Sequence, residues 1–242
     1  MRISRRHLNT LLAGAPLAGA LGTAHAAKDS VTLGMVLEPP GLDPTTGAAA
    51  AIGEIVHYNI LEGLTRIGMD GAVTPLLAES WIGSPDGKTY TFLLRKGVKF
   101  SDGKAFDGHT VKFSFDRARA EGSTNKAKKA VFDNIQSVSV VDSHRVIILV
   151  NAPDGTLPFR LGENTAVILH PSTAAQAATD PIGTGPYKLD SWKKGSSVTL
   201  VKSDACRDPA RVKIRRATFR FINDPAAQVA ALLAGDIDGM PR

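Results

Sequence analysis

The side chains in this 242-residue sequence whose types could do chemistry are few: His57, His109, His144 and His170, the lone Cys206, and the paired carboxylates Asp236 and Asp238. Histidine and carboxylate groups could hold a metal or move protons, and a thiol could attack a carbonyl. Their spacing supports none of these. The histidines are scattered, so a metal set would have to be assembled by the fold. Cys206 stands in SDACRDP with no histidine nearby to act as its base, and a single cysteine forms no internal disulfide. The two aspartates fall in GDIDG, a turn-like sequence. GxSxG, HExxH, a phosphate loop and the dinucleotide fingerprint are all absent, and GTGPY at Gly183 to Tyr187 lacks the spacing of a nucleotide site. The expectation is therefore no catalytic residue, no metal site and no cofactor.

The elements that would position any site are those of a mixed α/β globule. Val31, Leu33, Met35 and Leu37 alternate within Ser30 to Glu38, a strand with one buried face, which stops at Pro39-Pro40-Gly41. Ile52, Ile55, Val56 and Ile60 follow helical spacing, with Gly63 as the expected terminator. Turn signals at Asp70-Gly71, Pro85-Asp86-Gly87 and Asp102-Gly103 then separate short strands. Tyr90, Phe92 and Leu94 alternate, a helix is expected from Asp107, and IQSVSVV and RVIILV flank Asp142-Ser143-His144 as a hairpin. This stretch reads as a small domain with Trp81, Tyr90, Phe92, Val98 and Phe100 in its core. Gly87 and Gly103 fit turns needing positive φ.

After Asn164 a strand is expected in AVILH, a helix in PSTAAQAA, and a tight bend at Gly183, Gly185 and Pro186. YKLDSW and SVTLVK form a hairpin, ATFRFI a further strand. A last helix enters with Asp224 as cap and Pro225 at its first position, and ends at Gly235.

Residues 1–27 carry Arg2, Arg5 and Arg6, an apolar Leu, Ala and Gly stretch, and a small-residue boundary at Ala24-His25-Ala26. This is the pattern of a cleavable export signal, and Ser4-Arg5-Arg6-His7-Leu8 resembles its twin-arginine type. Setting those three arginines aside leaves 26 basic side chains against 23 acidic ones, so the formal net charge falls from +6 to +3. That is too mild to argue for a nucleic-acid partner. The densest basic cluster, Arg207, Arg211, Lys213, Arg215 and Arg216, reads as a solvated strand edge.

Five blocks in order, namely EPPGLDP after a strand, ILEGLTRI, LAESWIGSPDGKTYTFLLRKGVKFSDGKAFDGHTVKFSFDRA, PIGTGPYKL and AALLAGDIDG, resemble the family 5 extracellular solute-binding proteins that serve the oligopeptide, dipeptide and nickel importers. Two departures stand out. Gly108-His109-Thr110 replaces the usual Ala and acidic residues, and Cys206-Arg207 stands where an aromatic pair is common. The resemblance implies a periplasmic-binding-protein-like two-lobe fold with an extra small α+β domain, closing on ligand held in the cleft. The expected division is an export signal at 1–27, a first lobe at 28–61 and 165–242, and an inserted domain at 62–164. Because relatives run to roughly twice this length, the expectation is a chain cut before its second lobe.

The implied function is capture of a peptide or similar small polar solute in the periplasm for an ABC permease in the inner membrane. Relatives carry dipeptides, longer peptides, nickel complexes, opines and sugars, which leaves the ligand open. The cleft-lining positions it suggests are Glu38, Pro39, Pro40, Gly41 and Leu42, the segment around Phe132, and Gly162, Glu163, Asn164 and Thr165. The competing expectations are a fragment of such a protein without function of its own and a secreted hydrolase.

Overall fold

A computed structural model describes residues 28–240; the export-signal reading of 1–27 lies outside them. Two apolar cores organise the chain, and it crosses between them twice.

The first core belongs to a sheet built from both ends of the described chain. β1 (Ser30–Met35) pairs in parallel with β10 (Arg216–Phe221), with Leu33 opposite Phe219. β10 pairs antiparallel with β9 (Ser197–Lys202), and β9 with β8 (Tyr187–Lys193), giving the order β1-β10-β9-β8. Alternation puts Val198, Leu200, Ala217 and Phe219 on one face, in one cluster with Ile52, Ile55 and Val56 of α1 (Ala50–Val56). The β8 edge carries a register shift between Leu189 and Ser191 and a charged flank including Lys188 and Lys193, both devices that discourage further pairing. At the other edge, Gly34 N donates to Gly239 O at 2.9 Å. α4 (Pro225–Leu233), capped by Asp224 accepting from Ala227 N at 2.7 Å, makes the crossing from β10 to that segment and ends before Gly235, whose φ is +78°.

The second core lies in the 64–168 region. β4 (Ala78–Gly83), β5 (Thr89–Leu94), β6 (Ile135–Asp142) and β7 (Arg145–Val150) form an antiparallel sheet in the order β4-β5-β7-β6, beside a short ribbon of β2 (Thr65–Ile67) and β3 (Val73–Pro75). Tyr90, Phe92 and Leu94 bury one face of β5, and Val146, Ile148 and Val150 continue it on β7. α2 (Gly108–Arg119) covers this face with Val111, Phe115 and Ala118. Its start answers the sequence departure at Gly108-His109-Thr110: Thr110 N donates to Asp107 Oδ1 at 3.0 Å while Asp107 N donates to Thr110 Oγ1 at 3.2 Å. Threonine thus closes the reciprocal cap that an acidic residue commonly provides. Gly87 and Gly103 have φ of +67° and +87°, as their turns require.

Several sequence expectations need correction. β1 stops at Met35, whose carbonyl accepts the last ladder bond from Ile222 N, and Leu37 beyond it is 66% exposed. α1 ends at Val56; Ile60 is buried, but from a turn. Gly63 ends no helix. A Cβ there would stand 2.5 Å from Leu161 O, so its hydrogen is a packing requirement. The AVILH segment forms no strand, since Ala166 ends a 3-10 turn at Asn164–Ala166; Ala166 and Ile168 enter one core, Val167 and Leu169 the other. Its alternation is real, yet it serves two layers. In PSTAAQAA only a single 3-10 turn forms, at Ala174–Gln176. At Gly183 and Gly185 the requirement is close approach: a Cβ would lie 1.9 Å from Ile60 O and 2.4 Å from Asn59 O. Without side chains there, Gly185 N and Tyr187 N donate to Ile60 O and Asn59 O at 2.9 Å each, fastening the start of β8 to the segment after α1.

Candidate functional site

The chain passes from the sheet to the small domain at residues 57–65 and returns at 161–170, and these two crossings carry most of the unusual chemistry. Tyr58 is the single non-glycine residue with positive φ among those described, at 60°, a conformation that costs free energy in a bulky residue. Packing compensates: its ring stacks on His57 at 3.7 Å, its hydroxyl donates to Gly162 O at 2.7 Å, and it accepts from Ile67 N at 3.0 Å. One phenol therefore ties both crossings to β2.

Gly162, Glu163, Asn164 and Thr165 line an open cavity of about 590 Å³ together with His57, Tyr58, Lys126 and Arg160. Among the described residues, His57 Nε2 and Thr165 Oγ1 are the two buried side-chain polar atoms without a hydrogen-bond partner, and both residues belong to this cavity. Burial lowers the His57 imidazole from 6.5 to about 4; the Gly162 carbonyl opposes this in part and the Arg66 charge reinforces it. His57 is accordingly neutral at pH 7, with one ring nitrogen able to accept. Gly162 itself is confined, since a Cβ would meet Ile67 at 3.0 Å and Thr65 Oγ1 at 3.1 Å.

The remaining sequence candidates lie elsewhere. Glu38 uses its carboxylate to accept from Trp192 Nε1 at 2.8 Å and Gly195 N at 2.9 Å, which pins the end of β1 to the β8–β9 hairpin. Pro39 is buried, Leu42 is fully buried in the core around α1, and Gly41 packs on Ala178, leaving Pro40 as the exposed residue of the five. Phe132 is also corrected. Its side chain is fully buried, 5.7 Å from the Phe115 ring, so it is a core residue of the small domain, and only its neighbours Ala127, Ala130 and Val131 reach the cavity.

Two ion pairs, one at the first crossing and one between the loop after β1 and α2, carried no sequence signal of their partners. Glu62, 3% exposed, accepts from Arg207 Nη1 at 2.6 Å, Arg207 Nη2 at 2.7 Å and Thr184 Oγ1 at 2.9 Å. Hydrogen bonding to Glu62 raises the Arg207 guanidinium further above its ordinary value. Arg207 thus combines a partly exposed side chain, as expected of the basic cluster, with a buried partner, and it lies in the loop after β9 and not on a strand edge. Asp43, equally buried, takes Arg117 Nη2 at 3.0 Å and Thr45 Oγ1 at 2.6 Å, which joins the loop after β1 to α2. A buried Glu within ILEGL was the available signal, since such a carboxylate demands a partner. Its partner lies too far along the chain to be read from spacing. Among the described residues no three His, Cys, Asp or Glu side chains come together as a metal set.

A parallel β1–β10 pair extended by hairpins, with an antiparallel domain inserted between them, defines a lobe of the periplasmic-binding-protein type. The family described as bacterial extracellular solute-binding proteins, family 5 Middle, matches residues 72–242, and the chain belongs to it. A glutathione-binding protein GsiB of Pectobacterium atrosepticum is 31% identical over 242 residues, covering 98% of this chain and 46% of that protein. The one from Salmonella paratyphi A is 31% identical over 199 residues, covering 81% and 38%. Among solved structures, the binding protein AgaA of A. tumefaciens R10 in complex with agropinic acid superposes with a TM-score of 0.79 at 28% identity, over 86% of this chain and 43% of that one. NikZ from Campylobacter jejuni in complex with Ni(L-His) gives 0.78 at 28% identity, over 88% and 43%. The chain spans less than half the length of these relatives.

Proposed function

We propose that this chain contributes the first lobe and inserted domain of the solute-capturing component of an ABC importer, and that the cavity at Gly162–Thr165 forms part of its ligand-contacting wall. The observation that carries this reading is that two buried, unpartnered polar atoms, His57 Nε2 and Thr165 Oγ1, belong to residues that line one cavity between the crossings. Buried polar atoms ordinarily find partners, so a site that leaves two of them waiting is suited to a polar guest. Neutral His57 and the Thr165 hydroxyl can each donate or accept, while Lys126 and Arg160 favour a carboxylate. A short peptide or a similar small polar solute offers such groups. The glutathione, opine and nickel–histidine relatives support that class without choosing among its members.

Capture and release need neither cofactor nor catalysis, and delivery would be to a permease in the inner membrane from the periplasm, after export directed by residues 1–27. Calorimetry on the protein expressed from its own gene, against glutathione, dipeptides, a tetrapeptide and nickel–histidine, tests the reading. Saturable binding of at least one, recovered unchanged and weakened about tenfold by Thr165→Val, is expected from loss of one buried hydrogen bond. Absence of binding across the panel, or appearance of product, would overturn it. Replacing Arg5 and Arg6 by lysine should leave precursor in the cytoplasm; unchanged processing would remove the twin-arginine route.

A further inference from the structure

A second cavity, of about 720 Å³, lies away from the loop after β1. It opens beside Pro186, where β8 begins, and meets the cavity at Gly162–Thr165 only at Tyr58, which lines both. Three separate segments build its wall. The β2–β3 ribbon contributes Arg66, the turn after β5 contributes Arg95 and Lys96, and the loop after β9 contributes Arg207 and Arg211.

The charges in this wall do not balance. Five cationic side chains face three carboxylates, those of Glu62, Glu79 and Asp208. Glu62 is consumed by Arg207, and Asp208 stands 3.7 Å from Arg211 in an exposed pair that screening weakens. Among the described residues, Arg66, Arg95 and Lys96 make no ion pair within 4 Å. Arg66 instead lies 5.0 Å over the Tyr58 ring, and Arg95 Nε donates to Leu76 O. Two of the Arg207 nitrogens bind Glu62, which ties the loop after β9 to the first crossing. A concave wall with a net excess of positive charge favours an anion in the enclosed volume, and guanidinium groups match the planar or tetrahedral oxygens of carboxylates and phosphates. The volume suits a small molecule.

We propose that this cavity binds a small organic anion bearing two or more carboxylate or phosphate groups, at a site that adjoins the solute cavity described above across their shared Tyr58. Citrate and pyrophosphate are the probes, titrated calorimetrically into the protein expressed from its own gene, with acetate as the singly charged control. At least one multivalent probe should bind saturably and weaken steeply as NaCl rises from about 50 to about 300 mM, whereas acetate should not saturate. Whether citrate or pyrophosphate binds more tightly distinguishes a carboxylate ligand from a phosphate one. Arg66→Gln with Lys96→Gln should weaken binding about tenfold or more, as expected for lost charge-assisted contacts, and Glu79→Gln should strengthen it a few-fold. Lys128→Gln with Lys129→Gln, which removes equal charge elsewhere, should leave affinity within about twofold. Circular dichroism melts confirm that each variant folds. No saturable binding of either multivalent probe, an Arg66/Lys96 variant that binds as tightly as the parent, or equal weakening by the Lys128/Lys129 control would each overturn the proposal.

Discussion

The small domain and the lobe that carries it are stabilised in different ways. The small domain is closed by neighbours in sequence: β6 and β7 are joined by a two-residue turn, β4 and β5 by a short one, and Phe92, Phe100, Phe115 and Phe132 are all fully buried in a single core. The lobe is closed by β1 pairing with β10, near the two ends of the described chain, through a core of mostly aliphatic side chains. Its α4 buries only Gln228 and leaves Val229 and Leu233 49% and 83% exposed. Local antiparallel pairing recovers chain entropy early, whereas a parallel pair between distant strands must wait for everything between them. The small domain is therefore the region expected to form first and hold longest.

The two tryptophans allow that contrast to be broken or sharpened, because Trp81 packs against the small-domain core and Trp192 against the lobe core. The largest effect is expected from Phe92→Ala, which should cost about 4 kcal/mol. In single-tryptophan variants the Trp81 transition should then fall below that of Trp192, reversing the parental order; coincident transitions in both proteins would mean that the regions unfold as one. Next comes Glu62→Ala, which strands Arg207 at the junction and should cost about 3 kcal/mol in urea denaturation. The double variant Glu62→Gln with Arg207→Met should recover much of that loss, and its failure to do so would put the cost in packing.

A smaller, pH-dependent effect follows from His57. The folded protein holds its imidazole at about 4 against an ordinary 6.5, so the unfolded chain takes up the proton first as pH falls. Its stabilising contribution is complete above about pH 6.5, and roughly 2 to 3 kcal/mol is lost as pH falls through the window down to about 4. Stability measured across that window should slope less in His57→Gln; an identical slope would show that this imidazole is not desolvated. The smallest expected effect is that of Asp107→Ala, about 1 kcal/mol, from loss of the reciprocal cap of α2. It should lower the Trp81 transition and leave that of Trp192 nearly unmoved.

Legibility followed the same division. β5, α2 and the β6–β7 hairpin were readable because alternation, a capping Asp107 and turn residues act over a few positions, and the local preference agrees with the final packing. The AVILH segment misled for a definite reason: period-two alternation reports two different environments, and here the second is another core in place of solvent. Gly63, Gly183 and Gly185 misled similarly, since a glycine required for close approach looks like one required for a turn. Within the candidate site, Gly162 to Thr165 came from the resemblance. Tyr58 and His57 carried no signal beyond their types, and Phe132 was drawn the wrong way because a buried aromatic and a cleft aromatic read alike.

The sequence alone determined the family, the mixed α/β class, most hairpins and the helix cap at Asp224, all features that depend on ordered local words or on neighbours within about four residues. The tertiary structure decided what depends on distance through space. It placed Arg207 on Glu62 and Arg117 on Asp43, joined β1 to β10, left His57 Nε2 and Thr165 Oγ1 unpartnered in one cavity, and gathered five basic side chains around another. The physical reason is that burial and charge pairing are set by which segments meet. Segments separated by most of the chain meet only when the chain between them has been brought together.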